Sequence, residues 1–89
     1  MYIPQHVPIL NINICNINLN CLSNKISILY DFILRHKIDL VGVTETWLSE
    51  TMPDSFVSFP GFNIFRCDSV GPIGKHGVCL YVSEGLGGV

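Results

Sequence analysis

Ile38-Asp39-Leu40-Val41-Gly42-Val43 is a compact apolar run with β-branched residues, interrupted only by Asp39 and Gly42, and it runs directly into the polar Thr44-Glu45-Thr46. Such a run suits a strand covered on both faces. Immediately upstream, Leu22, Ile26, Leu29 and Ile33 recur at helical spacing. Phe32 widens that stripe, while Lys25, Asp31 and Arg35 point away. Ser23 or Asn24 can accept a hydrogen bond from the first free backbone N–H groups of this helix. Arg35, His36 and Lys37 close it with positive charge, which suits the negative end of the helix dipole, so His36 reads as a cap and not as a ligand.

Further upstream, from Ile9, Leu10, Ile12 and Ile14 alternate with Asn11, Asn13 and Cys15, which is strand periodicity. Ile17 and Leu19 then fall at odd positions, so the strand is expected to bulge or end around Cys15 to Asn16. Asparagine is a poor strand former, and the Ile-Asn tract also admits a low-complexity reading. Strand, helix and strand in this span make a βαβ unit, whose crossover is right-handed and whose two strands are parallel.

Downstream, Ser49 to Ser55 reads as a loop and Phe59-Pro60-Gly61 as a tight turn into a short strand at Phe62 to Cys67. A glycine-containing connection from Asp68 to Gly77 leads to a last strand at Val78 to Val82, giving a β-hairpin. Gly85, Gly87 and Gly88 then end the pattern without a finishing element. The expected organisation is an irregular lead-in over residues 1–8, one α/β domain over 9–86 and a tail over 87–89.

The chain has 89 residues, 48% hydrophobic and only 13% charged, where an ordinary soluble domain carries roughly 25% charged residues. A fold of this size buries only about 60–65% of the surface of its unfolded chain. With a mean hydropathy of +0.43, the composition implies an apolar face that something else covers. The formal net charge of −2 provides no basic field to attract nucleic acid, and Lys25, Arg35, Lys37, Arg66 and Lys75 form no run. Four cysteines without a Cys-x-x-Cys pair and three scattered histidines argue against a zinc site. No basic leader precedes an apolar core, and no apolar run nears the roughly 20 residues of a membrane span. The chain therefore reads as intracellular, nuclear or cytoplasmic, with reduced thiols, neither secreted nor transmembrane.

In a parallel βαβ unit both strands end at the same sheet edge, where ligands of open α/β sheets gather. Asn18 and Glu45 fall at that edge. There they can converge on one small ligand: a carboxylate suits a hard cation such as Mg²⁺, which commonly takes one or two protein carboxylates and keeps several waters. Spacing alone is served as well by a solvated strand-end acid and a turn asparagine. Trp47 can stack on a base, although a tryptophan after a buried strand is more often core. Lys75 and His76 can touch a phosphate from their loop or remain solvated.

Asn18-Leu19-Asn20-Cys21-Leu22-Ser23-Asn24-Lys25 resembles the Asn-x-x-Ser-Leu-x-Asn-Lys opening of retrotransposon endonucleases, and Asp39-Leu40-Val41-Gly42-Val43-Thr44-Glu45-Thr46-Trp47-Leu48 is similar to their Thr-Glu-Thr-Trp-Leu segment. Pro60-Gly61-Phe62-Asn63-Ile64-Phe65-Arg66-Cys67-Asp68 and Gly77-Val78-Cys79-Leu80-Tyr81-Val82 resemble later motifs of the same family in order and spacing. The resemblance, to the non-LTR branch of the endonuclease/exonuclease/phosphatase superfamily, spans Ile9 to Leu86. It implies the N-terminal part of a four-layer α/β sandwich of the deoxyribonuclease-like kind, with Glu45 as the Mg²⁺-holding carboxylate of one incomplete site and Asn18 as the active-site amide. Asn20, Lys75 and His76 become possible substrate contacts, and no organic cofactor is implied.

The resemblance further implies a fragment of an endonuclease that nicks target DNA for a mobile element. The family's later Asp-x-Asn and Ser-Asp-His segments have no counterpart here, so the isolated chain is expected to be inactive. Cys21 replaces the usual serine, Asn20 stands where arginine is common, and Ile73-Gly74-Lys75-His76 interrupts the usual glycine run. Expected partners are DNA for the full-length family member, and the missing C-terminal half or another protein on the apolar sheet face. Alternatives are a non-catalytic interaction module, or a repair endonuclease or other phosphodiesterase.

Overall fold

The computed structural model describes residues 12–68 and 76–87. Four strands form one mixed sheet in the order β1-β2-β4-β3, where β1 is Ile14–Asn18, β2 Leu40–Thr44, β3 Phe62–Asp68 and β4 Gly77–Ser83. β1 and β2 are parallel, in register from Ile14 beside Leu40 to Asn18 beside Thr44, and helix α1 (Ile26–His36) forms the crossover between them. β4 is antiparallel to β2 and to β3, so β3 and β4 form the expected hairpin. A short helix α2 (Glu84–Gly87) follows β4 where no closing element was expected, begun by a hydrogen bond from Glu84 N–H to Gly61 O.

One face of the sheet carries the core. Val41, Val43, Cys79 and Tyr81 are buried there, with the half-buried Cys15, Ile17 and Ile64 beside them. Leu29 and Ile33 of α1, with half-buried Ile26, cover them as part of the expected stripe, joined by Leu22 just before the helix and by Leu48, Val57 and Phe59 of the segment between β2 and β3. Phe59 stacks on Tyr81 at 4.4 Å between ring centroids, meets Phe62 edge-on at 5.3 Å and leans on Tyr30 at 4.8 Å. The Tyr81 hydroxyl satisfies its hydrogen-bonding need inside the core by donating to Val57 O.

Among the described residues, none covers the opposite face. Ile14, Phe65 and Val78 stand on it 67%, 60% and 47% exposed, alongside half-buried Leu40, Leu80 and Val82. β2 is therefore covered on one side only, contrary to the expectation from its apolar run. Those residues would bury both faces of β2, but within this chain the helix reaches only one.

The N-terminal strand also differs from expectation. β1 passes straight through Cys15 and Asn16, paired one-to-one with β2, and the odd positions Cys15 and Ile17 point to the core. Ile12 and Ile14, the apolar side of the expected alternation, are exposed; Ile9 to Asn11 lie outside the described residues. The alternation was genuine, but the side that faces the helix is set by register, and a one-residue shift exchanges the two faces. Asn13 bonds across the crossover through side chain and backbone, and its carbonyl accepts the Asp39 and Leu40 N–H groups. Its side-chain N–H donates to Lys37 O at 2.8 Å, and its backbone N–H donates to Asp39 Oδ2 at 3.0 Å. It thus ties the end of α1 to the start of β2.

The start of α1 is a further correction. Leu22–Asn24 forms a 3-10 turn, and α1 begins after Lys25, with no side-chain cap from Ser23 or Asn24. At the other end Lys37 turns left-handed, φ 52°, and its backbone N–H returns to Ile33 O. His36 lies against the Phe32 ring at 4.5 Å. Gly42 in the middle of β2 has a local reason: a Cβ there would meet Asn16 Oδ1 at 3.1 Å, so the bare backbone lets the neighbouring amide lie across it.

Candidate active site

β1 and β2 end together, and the main chain beyond them is held on both sides. Leu19 N–H donates to Thr44 O, Cys21 N–H to Glu45 O and Leu22 N–H to Thr46 O. From the β4 side, Thr46 N–H donates to Gly77 O and Trp47 N–H to His76 O. The segment Glu45-Thr46-Trp47 thus extends β2 between two flanking chains. Asn18, one residue before this clamp begins, is paired with Thr44, which places it and Glu45 at the same rim of the sheet.

Glu45 and Trp47 both have a φ of 57°. A left-handed conformation costs a side-chain-bearing residue about 1–2 kcal/mol, and such conformations gather at functional sites because the surroundings must enforce them. Here the enforcement is visible. Thr46, between them, is wholly buried, and its Oγ1 accepts the Leu48 N–H at 3.5 Å. With Thr46 pinned inward, Glu45 and Trp47 emerge together: the Trp47 indole N–H lies 3.4 Å from Glu45 Oε2. His76 Nδ1 approaches the same oxygen at 3.6 Å, from an imidazole that is largely exposed.

The remaining expected residues are placed as follows. Asn20 is exposed, and its carbonyl oxygen accepts the Lys25 ammonium, which also reaches Cys21 O at 3.4 Å. Cys21 is left-handed, φ 69°, with its sulfur 3.6 Å from Ser23 Oγ. Lys75 lies outside the described residues. Among the described residues no group of three or more His, Cys, Asp or Glu side chains stands together as a metal cage. A cation such as Mg²⁺, which commonly takes only one or two protein carboxylates and keeps several waters, would fit the single partly exposed carboxylate of Glu45.

A second polar cluster went unrecognised in the sequence. Arg66, its side chain 11% exposed, donates to Asp68 Oδ2 at 2.7 Å, Asp54 Oδ1 at 2.8 Å, Met52 O at 2.7 Å and Ser49 O at 3.0 Å. The Asp68 hydrogen bond, opposed by burial and aided by Asp54, raises its pKa further above the usual value. This guanidinium fastens the loop after Trp47 to β3. The Arg-x-Asp spacing was the available signal, since alternate strand positions share a face.

No family model and no curated protein matches the chain. Among solved structures, it is similar to an AP endonuclease from Archaeoglobus fulgidus, with a TM-score of 0.65 and 19% sequence identity over 81% of this chain. The match spans 27% of that enzyme's length. The likeness establishes the fold: the mixed sheet and its helix are a portion of the deoxyribonuclease-like α/β architecture.

Proposed function

We propose that this chain provides part of the catalytic face of an Mg²⁺-dependent phosphodiesterase, an endonuclease that nicks target DNA for a mobile element. The observation that carries the reading is Glu45, held left-handed at the rim where β1 and β2 end, its carboxylate half exposed and engaged by Trp47. In this reading Glu45 supplies the one protein carboxylate that holds the cation, and the Asn18 amide orients a phosphate oxygen or a water. Asn20, His76 and Lys75 are candidates for contacts along the nucleic-acid backbone. Bound Mg²⁺ would supply electrostatic stabilisation of the charge that develops on the phosphate. The acid–base residues that activate water in the resembling family are absent from these 89 residues, so hydrolysis is proposed to need a complementary part.

A second reading is favoured by the open sheet face with Ile14, Phe65 and Val78: a non-catalytic module that pairs this face with another protein. Within the first reading, the likeness to an AP endonuclease supports a repair nuclease as the alternative substrate class. One experiment separates catalysis from mere association. The chain is mixed with the C-terminal half of such a domain and supercoiled DNA; nicking that requires Mg²⁺, and that Glu45→Ala lowers by about 10²-fold or more, is the expected outcome. Association without cleavage would favour the interaction module.

A further inference from the structure

Beyond the carboxylate itself, we infer that Trp47 is a positioning residue for Glu45: its indole N–H fixes the direction in which the carboxylate presents its free oxygen. The inference rests on reading Glu45 as a cation ligand. An unrestrained glutamate side chain rotates about three bonds, so a ligand oxygen needs a partner to hold it. Indole is a hydrogen-bond donor only, so Trp47 can engage one carboxylate oxygen without competing for the cation. The distance is 3.4 Å to Oε2, which leaves Oε1 for a metal.

Trp47 is also the neighbour best fixed in place. Its backbone N–H is bonded to His76 O at 3.0 Å, the residues on either side, Thr46 and Leu48, are wholly buried, and its ring is half buried. His76, the other group near Oε2, has a side chain 80% exposed and stands at 3.6 Å. Glu45 and Trp47 are alternate residues, which share a side of an extended chain, and both are left-handed at φ 57°, with donor and acceptor 3.4 Å apart. Partners of this kind, one step removed from a metal, typically change its affinity 10–100-fold.

The test uses the full chain and Mn²⁺ as probe, titrated by water-proton relaxation. Glu45→Gln is expected to abolish binding. Trp47→Phe keeps an aromatic ring but deletes the donor, and is expected to weaken Mn²⁺ binding about tenfold, with the urea midpoint nearly unchanged. Trp47 is the sole tryptophan, so its indole N–H gives a single proton resonance, expected to move on adding Mg²⁺ and again in Glu45→Gln. If Trp47→Phe binds Mn²⁺ as tightly as the unmodified chain while Glu45→Gln does not bind, the positioning role is overturned and the proposed function stands. An unmodified chain that binds no Mn²⁺ sinks both. Should Trp47→Phe fail to fold, the indole resonance decides, because a signal indifferent to Glu45→Gln removes the contact on which the inference depends.

Discussion

Tyr81 and Cys79 sit side by side on the buried face of β4, separated only by Leu80, and each keeps its proton because the core excludes its charged form. Burial pushes the Cys79 thiol from an ordinary 9.0 up to about 12 and raises the Tyr81 phenol as well. Below about pH 9 the thiol is protonated whether or not the chain is folded, and the shift has no effect on stability. Above it the unfolded chain releases a proton that the folded chain retains, so stability falls as pH rises toward 12. Urea midpoints measured at about pH 8 and pH 10 are expected to show this loss, and to show less of it in Cys79→Ala, which removes the titrating group. Tyr81→Phe tests the hydroxyl separately. It leaves the buried Val57 carbonyl without its donor and is expected to cost about 1–2 kcal/mol, read from the same denaturation curves.

Among elements, the long connection between β2 and β3 is held more by polar contacts than by regular structure. Its own hydrogen bonds are local: Met52 N–H to Ser49 O, Phe56 N–H to Pro53 O, Val57 N–H and the Ser58 hydroxyl to Asp54 O, and a Ser49–Thr51 hydroxyl pair at 2.8 Å. Long-range fastening comes from Arg66, which collects two of its carbonyls and Asp54, and from the Tyr81 hydroxyl on Val57 O. Replacing Arg66 with methionine keeps the aliphatic stem but leaves the mostly buried Asp68 without its counter-charge. The expected loss is about 2–4 kcal/mol, with amide exchange accelerating first between Ser49 and Val57. Asp54 is largely exposed, so Asp54→Asn should cost far less. The contrast between the two substitutions checks that the buried partner, and not the surface ion pair, carries the effect.

For the whole molecule, the decisive feature is a sheet that the described residues finish on one side only. The open face carries Ile14, Leu40, Leu80, Val82, Phe65 and Val78, an apolar surface of the kind that drives association. The isolated chain is expected to bind an apolar dye and to self-associate with rising concentration. The double substitution Ile14→Thr and Phe65→Thr should suppress both, with threonine supplying the β-branched shape that strands favour. Sedimentation velocity checks the outcome: unchanged self-association in the double variant would mean that other surfaces drive it.

The order of the four strands and α1, the Ile26, Leu29 and Ile33 part of the stripe, the parallel pairing of β1 with β2 and the β3–β4 hairpin were legible in the sequence, because hydrophobic periodicity and turn residues are local signals, whereas the turn at Leu22–Asn24 and α2 were not. So was the co-location of Asn18 and Glu45 at one rim, since a βαβ crossover leaves no other arrangement. Register and enclosure were not. Whether Ile14 or Ile17 faces the helix depends on how β1 slides against β2, and the alternation reads equally well in both phases. The left-handed backbone at Glu45 and Trp47 carries no local signature, for neither is glycine; it exists because Thr46 is buried and chains on both sides bond the segment. The order of the fold was thus written along the chain, whereas the direction in which its candidate ligand points came from contacts between residues far apart in it.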